Sequence, residues 1–205
     1  MNFSEYFPRL SPLQLQQLET LNATISDWNG KINVISRQDI DNIDVHHILH
    51  SLAIAKFIDF TPGSVVIDLG TGGGFPGLPL AILFPEVHFH LVDRVGKKLK
   101  VAEEAAKACG LQNVSFQHGD FGECKVQADF VVSRAVMPQP DLVKLVRKNI
   151  SKTNRNAVPN GLISLKGGDL HAELRAVGRE SEVIPLESFF NLPFFKTKKL
   201  VYTPI

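Results

Sequence analysis

The sequence predicts an α/β fold in which a doubly wound parallel sheet carries a helical N-terminal extension. From residue 65 onward, short apolar runs alternate with segments of helical spacing about ten to fifteen residues long, a pattern typical of βαβ units. Five glycines fall within residues 70–77, directly after the first apolar run, where a strand turns into a helix. Residues 1–60 lack this alternation and have helical spacing instead.

Residues 1–60 are assigned to an N-terminal extension that packs on the core. A serine-proline start followed by Gln14 is typical of a capped helix, and an apolar stripe ending at Trp28 follows it. A second helix is predicted over residues 43–58. Residues 61–205 are assigned to the sheet domain.

The elements of the sheet domain follow from the same patterns. Apolar or alternating runs predict strands at residues 65–69, 87–92, 114–117, 130–133 and 162–165, and a final edge strand at residues 200–202. Helices are predicted at residues 76–84, 96–109 and 141–150. Because ligands of such folds bind beyond the carboxyl ends of the strands, the site is expected at the glycine loop.

Composition narrows the classes of protein. The 205 residues carry a net charge of +1, and no run resembles a membrane helix or a secretory leader. The cysteines, Cys109 and Cys124, match no metal or redox spacing, which predicts reduced thiols in a cytoplasmic protein. We expect a monomer.

Positive charge is concentrated in two stretches. Residues 134–166 hold seven basic residues and one acid, and Lys97 and Lys98 belong to a second cluster directly after Asp93. This distribution suits a polyanion bound to one face of the protein. Solvated helix faces are the alternative for each cluster taken alone.

The glycine loop is compatible with two classes of ligand. Gly72, Gly74 and Gly77 satisfy the G-x-G-x-x-G spacing of dinucleotide-binding loops, a spacing of low specificity when it stands alone. Asp68, two residues before Gly70, is predicted to point its carboxylate into the pocket, where it would repel a pyrophosphate. S-adenosylmethionine has no phosphate and carries a cationic sulfonium and ammonium. The carboxylate therefore favours this methyl donor over a dinucleotide.

Acidic residues after the next two strands complete the predicted cofactor site. Asp93 ends the second strand, where a carboxylate accepts both ribose hydroxyls in dehydrogenases and methyltransferases alike. Asp120 and Phe121 follow the third strand and are expected to accept the adenine amino group and cover the ring face. The alternatives are a helix-capping acid for Asp93, and a turn acid beside a core phenylalanine for the other two.

Motifs across residues 28–168 resemble one family in order and spacing. The stretch VVIDLGTGGGFPGLPLAILFP is similar to the central motif of the ribosomal RNA small subunit methyltransferase G family, also called glucose-inhibited division protein B. The family pattern is also matched, in order, by Trp28 and Asn29 with Asn33, and by HHILHSL, LVDRVGKK, VVSRAV and SLKGG. The resemblance implies a Rossmann-like S-adenosylmethionine-dependent methyltransferase fold. It also implies methyl transfer to the N7 atom of a guanine in the 16S rRNA of the small ribosomal subunit.

The resemblance implies cofactor contacts by position, at Gly70, Phe75, Asp120, Phe121 and Arg134. This sequence departs from the family pattern in two places. His46 and His50 stand where the family has arginine and aspartate, so any ion pair between those two is absent. Glu123 competes with Asp120 for the adenine contact, because Gly119 takes the position of a basic residue.

The implied chemistry needs no catalytic acid or base. Guanine N7 has a free lone pair and no proton to lose, so the rate depends on alignment and electrostatics. Arg134 is expected to contact guanine O6, a phosphate or the carboxylate of the donor, and otherwise to pair at the surface with Asp129 or Asp141. RNA phosphates are expected at Lys97, Lys98, Arg134 and Lys166.

Metal binding and other activities have less support in the sequence. His46, His47 and His50 share a predicted helix, but no third ligand accompanies them, so we expect a surface role and no zinc. A small-molecule methyltransferase, another RNA methyltransferase and a nicotinamide-dependent oxidoreductase remain open. A fold that only binds RNA is disfavoured, because such a protein need not keep a cofactor loop.

Overall fold

The computed structural model describes residues 1–36 and 39–205 and contains one seven-stranded sheet. Its strands are β1 (Val65–Leu69), β2 (His88–Asp93), β3 (Val114–His118), β4 (Phe130–Arg134), β5 (Gly161–Gly167), β6 (Glu182–Pro185) and β7 (Lys198–Pro204). The order is β3-β2-β1-β4-β5-β7-β6, in which β1 to β5 are parallel and β7 is antiparallel to both neighbours. This topology confirms the predicted α/β fold with a Rossmann-like parallel sheet.

The helices largely follow the sequence pattern. They are α1 (Pro12–Asn29), α2 (His50–Leu52), α3 (Ile54–Phe57), α4 (Gly77–Leu83), α5 (Gly96–Ala108), α6 (Gln139–Val146) and α7 (His171–Arg175). The basic helix expected at residues 141–150 begins two residues earlier, and its last turn, Arg147–Asn149, is a 3₁₀-helix.

Alternate residues of the central strands pack on opposite faces of the sheet. Val66 lies in one apolar cluster together with residues of α1, α4 and α5, whereas its neighbour Ile67 lies in a second cluster with residues of α6. Side chains of a strand alternate between its two faces, so each apolar run of β1 and β4 serves both clusters. Burial on both faces explains why these strands read as continuous apolar runs.

The N-terminal helix is attached to the sheet domain by packing and by hydrogen bonds. Ser11 and Gln14 form the expected capping box at the start of α1. Leu18, Leu21 and Ile25 are fully buried. Gln14 Nε2 also donates to the carbonyls that end α4, at 2.9 and 3.1 Å. One side chain thus caps its own helix and ties it to α4.

The second predicted helix contains an unexpected π-helical stretch. Ile43–Leu49 forms a π-helix, which continues into α2 and α3. A π-helix has about one more residue per turn than an α-helix, and such segments are frequent at functional sites. The usual 3.6-residue periodicity of the sequence does not reveal it.

The last strand occupies a different position from the one expected. Residues 200–202 lie within β7, which pairs with β5 on one side and with β6 on the other, so β7 is not an edge strand. The strand at this edge of the sheet is β6. The sequence does not predict β6, because its four residues are mostly exposed and end in Pro185. A proline is tolerated at a sheet edge, where one N–H needs no partner. None of the helices that the structure describes has the length and apolar character required to span a bilayer.

Candidate functional site

The glycine loop leaves β1 and folds back over the end of that strand. Asp68 in β1 is fully buried. Its Oδ2 accepts hydrogen bonds from Thr71 Oγ1 at 2.6 Å and from the Gly77 N–H at 2.7 Å. Gly70 has a φ of +71°, and a Cβ at this position would lie 2.6 Å from a Val136 methyl. The loop therefore requires glycine here, both for its backbone angle and for the close approach of another segment.

The carboxylate of Asp68 does not project into an open pocket, which corrects the expectation from sequence. It lies beneath the loop, because Thr71 and Gly77 of the loop itself donate to it. Its Oδ1 is buried and has no hydrogen-bond partner within the described part of the chain. Burial raises the pKa of Asp68 to about 7, although the bonds from Thr71 and Gly77 lower it. Asp68 thus fixes the loop through Oδ2, and its other oxygen, Oδ1, is buried and can still accept a hydrogen bond.

Asp93 holds the same loop from β2. Its Oδ2 accepts the Gly72 N–H at 2.7 Å, and its Oδ1 accepts the Val95 N–H at 2.7 Å. The N–H of Gly74 donates to a loop carbonyl at 2.9 Å. Together with the Gly77 N–H bound to Asp68, these contacts use the loop amides that would bind a pyrophosphate in a dinucleotide enzyme.

A cavity of about 330 Å³ opens beside the loop, at the carboxyl ends of β1 and β2. Four of the predicted cofactor residues line it: Gly70, Asp93, Asp120 and Phe121. The remaining wall is mostly apolar and includes Val92, Val136, Met137 and Leu145. A mostly apolar cavity with a few carboxylates suits a ligand that has a flat ring and several hydroxyl or amino donors.

Asp120 and Glu123 differ in their relation to this cavity. Asp120 lines it, with Oδ1 accepting the Gly122 N–H at 2.7 Å and Oδ2 lying 3.7 Å from Arg94. Glu123 is exposed and lies outside the lining. Of the two acids that the sequence left open for the adenine contact, Asp120 is the one that borders the cavity.

The other predicted cofactor residues lie outside the lining: Asp68, Gly72, Gly74, Phe75 and Arg134. Phe75 is buried and packs on Arg134, whose Cζ lies 5.2 Å from the ring centroid. The Arg134 guanidinium donates to the His46 carbonyl at 3.2 Å and to His47 Nδ1 at 3.0 Å. The expected alternative pairing of Arg134 with Asp129 is wrong, because Asp129 pairs with Arg155 at 3.2 Å.

Two histidines near Arg134 have lowered pKa values, and of these His50 is buried and His47 half-buried. Burial, followed by the positive charge of Arg134, lowers the pKa of His47 to about 3. The same two causes, in the same order, place the pKa of His50 well below its ordinary value. A neutral imidazole can accept a hydrogen bond on one nitrogen, so His47 Nδ1 serves as an acceptor for Arg134. His50 is therefore an interior residue, and the expected helix-surface role is wrong for it, whereas His47 is half-buried.

Lys166 is also an interior residue. Its side chain is 9% exposed, and its Nζ lies 2.6 Å from Glu173 Oε1 while donating to the Met137 carbonyl at 2.9 Å. The expectation that Lys166 contacts an RNA phosphate does not fit this geometry, because its charge is already paired inside the protein. Lys97 is exposed and Lys98 half-buried in the first turn of α5, at the same end of the sheet as the cavity.

The basic stretch at residues 134–166 does not form one face. Arg134 and Lys166 are directed inward, as described above. Arg155 pairs with Asp129 and donates to the Gly63 carbonyl at 3.1 Å, which places it at the opposite, amino end of the strands. The charge excess therefore divides between the two ends of the sheet.

Three functional candidates were missed in the sequence. No motif in the sequence marks Thr71 or Glu173. Only the folded chain shows that Thr71 contacts Asp68 and that Glu173 contacts Lys166. His47 lies within the matching stretch HHILHSL, so that motif carried a signal for it. Within residues 1–36 and 39–205, no group of three or more histidine, cysteine or acidic side chains is arranged to hold a metal ion.

Comparisons with known proteins agree with this architecture. Residues 14–199 match the family model described as rRNA small subunit methyltransferase G. The chain is 58% identical over 201 residues to a Phocaeicola vulgatus protein named "Ribosomal RNA small subunit methyltransferase G", covering 98% of this chain and 96% of that protein. A Bacteroides thetaiotaomicron protein of the same name is 56% identical and covers 98% of both chains.

Solved structures share the fold at low sequence identity. An S-adenosylmethionine-dependent O-methyltransferase of Thermotoga maritima aligns with a TM-score of 0.58 and 16% identity, over 82% of this chain and 70% of that one. An S-adenosylmethionine-dependent methyltransferase of Aquifex aeolicus aligns with a TM-score of 0.56 and 17% identity, over 82% and 97% of the two chains.

Proposed function

The chain belongs to the rRNA small subunit methyltransferase G family, and from this membership we propose that the cavity beside Gly70 holds S-adenosylmethionine for methylation of guanine N7 in 16S rRNA. The observation that carries the proposal is the double attachment of the glycine loop. Asp68 holds the loop from β1 and Asp93 holds it from β2. Together they shape one wall of the cavity, and Asp93 places its carboxylate on that wall.

The residues of the cavity fit this cofactor. The buried Oδ1 of Asp68 lacks a partner among the described residues, and an ammonium is a suitable donor to such an oxygen. Asp93 uses one lone pair of each oxygen within the protein, which leaves acceptor capacity for ribose hydroxyls. Asp120 can accept the adenine amino group, and Phe121 with the apolar wall can cover the ring.

The chemistry is a displacement at carbon. When bound, S-adenosylmethionine would supply a methyl group on a positively charged sulfur, and that sulfur would keep the bonding electron pair as the guanine N7 lone pair forms the new bond. N7 has no proton to lose, so the residues of this chain act by orientation and charge. Asp68 and Asp93 fix the loop, and Phe75 and His47 fix Arg134 beside the acceptor.

Arg134 is proposed to contact the guanine or its phosphate. Burial lowers the pKa of Arg134 to about 10, so the side chain stays charged at neutral pH. Its guanidinium is fixed by His46, His47 and the ring of Phe75. A fixed cationic donor suits guanine O6 or a phosphate. A contact with N7 itself would block the reaction.

Two observations argue against the other activities left open by the sequence. The loop amides of Gly72, Gly74 and Gly77 are bonded within the protein, so few donors remain for the pyrophosphate of a nicotinamide cofactor. Lys97 and Lys98 lie in the first turn of α5, at the same end of the sheet as the cavity, where a small-molecule substrate would not need them but an RNA backbone would.

The wider setting follows from the substrate. We propose that the partner is 16S rRNA within the small ribosomal subunit, contacted at phosphates by Lys97 and Lys98. An enzyme of bacterial rRNA acts in the cytoplasm, and the buried free thiols of Cys109 and Cys124 are compatible with that compartment. The chain is proposed to act as a monomer, which sedimentation of the purified protein would test.

Methyl transfer to unmodified subunits tests the proposed function. The protein is incubated with methyl-labelled S-adenosylmethionine and small subunits that lack the modification, and the labelled base is mapped. The expected result is label on N7 of one guanine of 16S rRNA. Label in protein or in a small metabolite, with none in 16S rRNA, would refute the assignment.

A further inference from the structure

A second cavity, of about 260 Å³, borders the segment that also lines the cofactor cavity. Arg134 and Ala135 line the second cavity, and the next two residues, Val136 and Met137, line the first. Ala135 has a φ of +52°, and it is the one non-glycine residue with a positive φ among residues 1–36 and 39–205. A left-handed alanine costs free energy, and here it stands where the chain passes from one cavity to the other.

The second cavity contains a buried imidazole nitrogen without a partner. His50 lines the cavity and is 6% exposed. Its Nε2 is buried and bonds to no atom of the described chain. In the neutral ring, one nitrogen donates and the other carries a lone pair. With the proton on Nδ1, the unpartnered Nε2 is an acceptor.

Glu173 offers a second acceptor in the same cavity. Its Oε1 accepts the Gln139 N–H at 2.5 Å and lies 2.6 Å from Lys166 Nζ. Its Oε2 accepts no hydrogen bond from the residues that the structure describes. Lys198 also lines this cavity, so a cationic donor stands beside the two acceptors.

This set of groups is complementary to the edge of guanine that lies away from N7. If N7 faces the methyl donor, the N1–H and N2–H₂ donors point to the far side of the ring, and the O6 acceptor lies between that edge and N7. A carboxylate oxygen and an imidazole lone pair accept the N–H groups, and a lysine or arginine donates to O6. Adenine has an acceptor at N1 and would place it against the carboxylate, an unfavourable contact.

We propose that the second cavity receives the target guanine and that Glu173 selects it by accepting hydrogen bonds from N1–H and N2–H₂. This inference rests on the proposed function, since it names the substrate contacts of the same site. In this arrangement the segment from Arg134 to Met137 lies between the cavity of the methyl donor and the cavity of the guanine. The guanine N7 atom and the methyl group meet at the edge of this segment. His50 supplies the second acceptor.

The test compares guanine with inosine, which lacks the N2 amino group. Small subunits are reconstituted with either base at the position that the wild-type enzyme methylates, and kcat/KM is measured for both. The wild-type enzyme is expected to prefer guanine by about tenfold or more, the effect of one hydrogen bond to a charged acceptor. Equal rates on the two bases would overturn the inference without any variant.

The variant Glu173→Gln separates recognition from structure. Its amide oxygen can still accept from Gln139, but its N–H₂ opposes the guanine donors. We expect about 100-fold lower kcat/KM on guanine, a guanine preference reduced to near unity, and an unchanged Kd for S-adenosylhomocysteine. Glu187→Gln, at an exposed glutamate of the same region, is expected to behave as wild type.

A Glu173→Gln enzyme that keeps the guanine preference would overturn the inference while leaving the proposed function intact. Absence of any methyl transfer to 16S rRNA by the wild-type enzyme would remove both.

Discussion

The carboxylate of Asp68 accepts a 2.7 Å hydrogen bond from the backbone N–H of Gly77. Asp68 belongs to β1 and Gly77 begins α4, so this bond closes the glycine loop into a ring supported from below. The carboxylate lies outside the lining of the cofactor cavity. Asp68 therefore acts on the cavity through the loop that it fixes.

Replacing Asp68 is expected to weaken cofactor binding. Asp68→Ala removes the bonds from Thr71 and Gly77 that fix the loop, so the Kd for S-adenosylhomocysteine should rise by about tenfold or more. Lys97→Ala is the matched control, because Lys97 is exposed on α5 and contacts RNA in the proposed complex. Calorimetric titration of both variants measures the difference. Equal losses of affinity would show that the role of Asp68 has been misread.

Asp68 also gives the folded chain a specific pH dependence. Burial raises the pKa of Asp68 to about 7 in the folded state from an ordinary value of 3.8. The unfolded chain therefore releases this proton first as the pH rises, and stability falls between about pH 4 and pH 7. The loss assigned to this group is of the order of 4 kcal/mol.

Urea denaturation at several pH values checks this effect against Asp68→Asn. The variant cannot ionise at this position, so the free energy of unfolding of the wild type, relative to the variant, should decline from pH 4 to pH 7. Other titrating groups, including the buried histidines, contribute to both proteins and cancel in the difference. Parallel pH curves for the two proteins would contradict a buried, proton-binding Asp68.

Arg134 is expected to serve the acceptor more than the cofactor. In Arg134→Lys, a single ammonium replaces the planar guanidinium that bonds to both His46 and His47. We expect kcat/KM on small subunits to fall by about tenfold to 100-fold, with less than a threefold change in the Kd for S-adenosylhomocysteine. If instead the cofactor affinity falls in parallel with kcat/KM, Arg134 binds the carboxylate of the donor.

The lysines at the start of α5 are expected to govern the salt dependence of RNA binding. Removing both charges with Lys97→Ala and Lys98→Ala should weaken subunit binding and lower the slope of log K against log salt by about 1.4 to 1.8. Lys152→Ala provides a control, because Lys152 is exposed in the segment that lies at the opposite end of the sheet. Binding is measured by filter retention at several salt concentrations, and an equal change in the control would remove the assignment.

Much of the fold is readable in the sequence because local and global signals agree. The capping box of Ser11 and Gln14 and the apolar runs of β1 and β4 each predict what the folded chain adopts. β6 is different: its four residues form a strand only because β7 offers them a partner. The π-helix at Ile43–Leu49 is likewise contacted by a residue distant in sequence, because Arg134 donates to the His46 carbonyl and to His47.

The candidate site was predictable in residue types but not in their directions. The positions of Gly70, Asp93, Asp120 and Phe121 after consecutive strands were enough to bring them to one cavity. The inward direction of Asp68 was not predictable, since it depends on how the loop after β1 folds back. Lys166 reads as a surface cation until Glu173, from a later helix, is brought beside it.

A crystal structure of the protein grown with S-adenosylhomocysteine is the most direct test of the central claim. The proposed function predicts the ligand in the cavity beside Gly70, with its ribose hydroxyls on Asp93 and its adenine amino group on Asp120. An empty cavity at saturating ligand, or a dinucleotide bound there in preference, would contradict it.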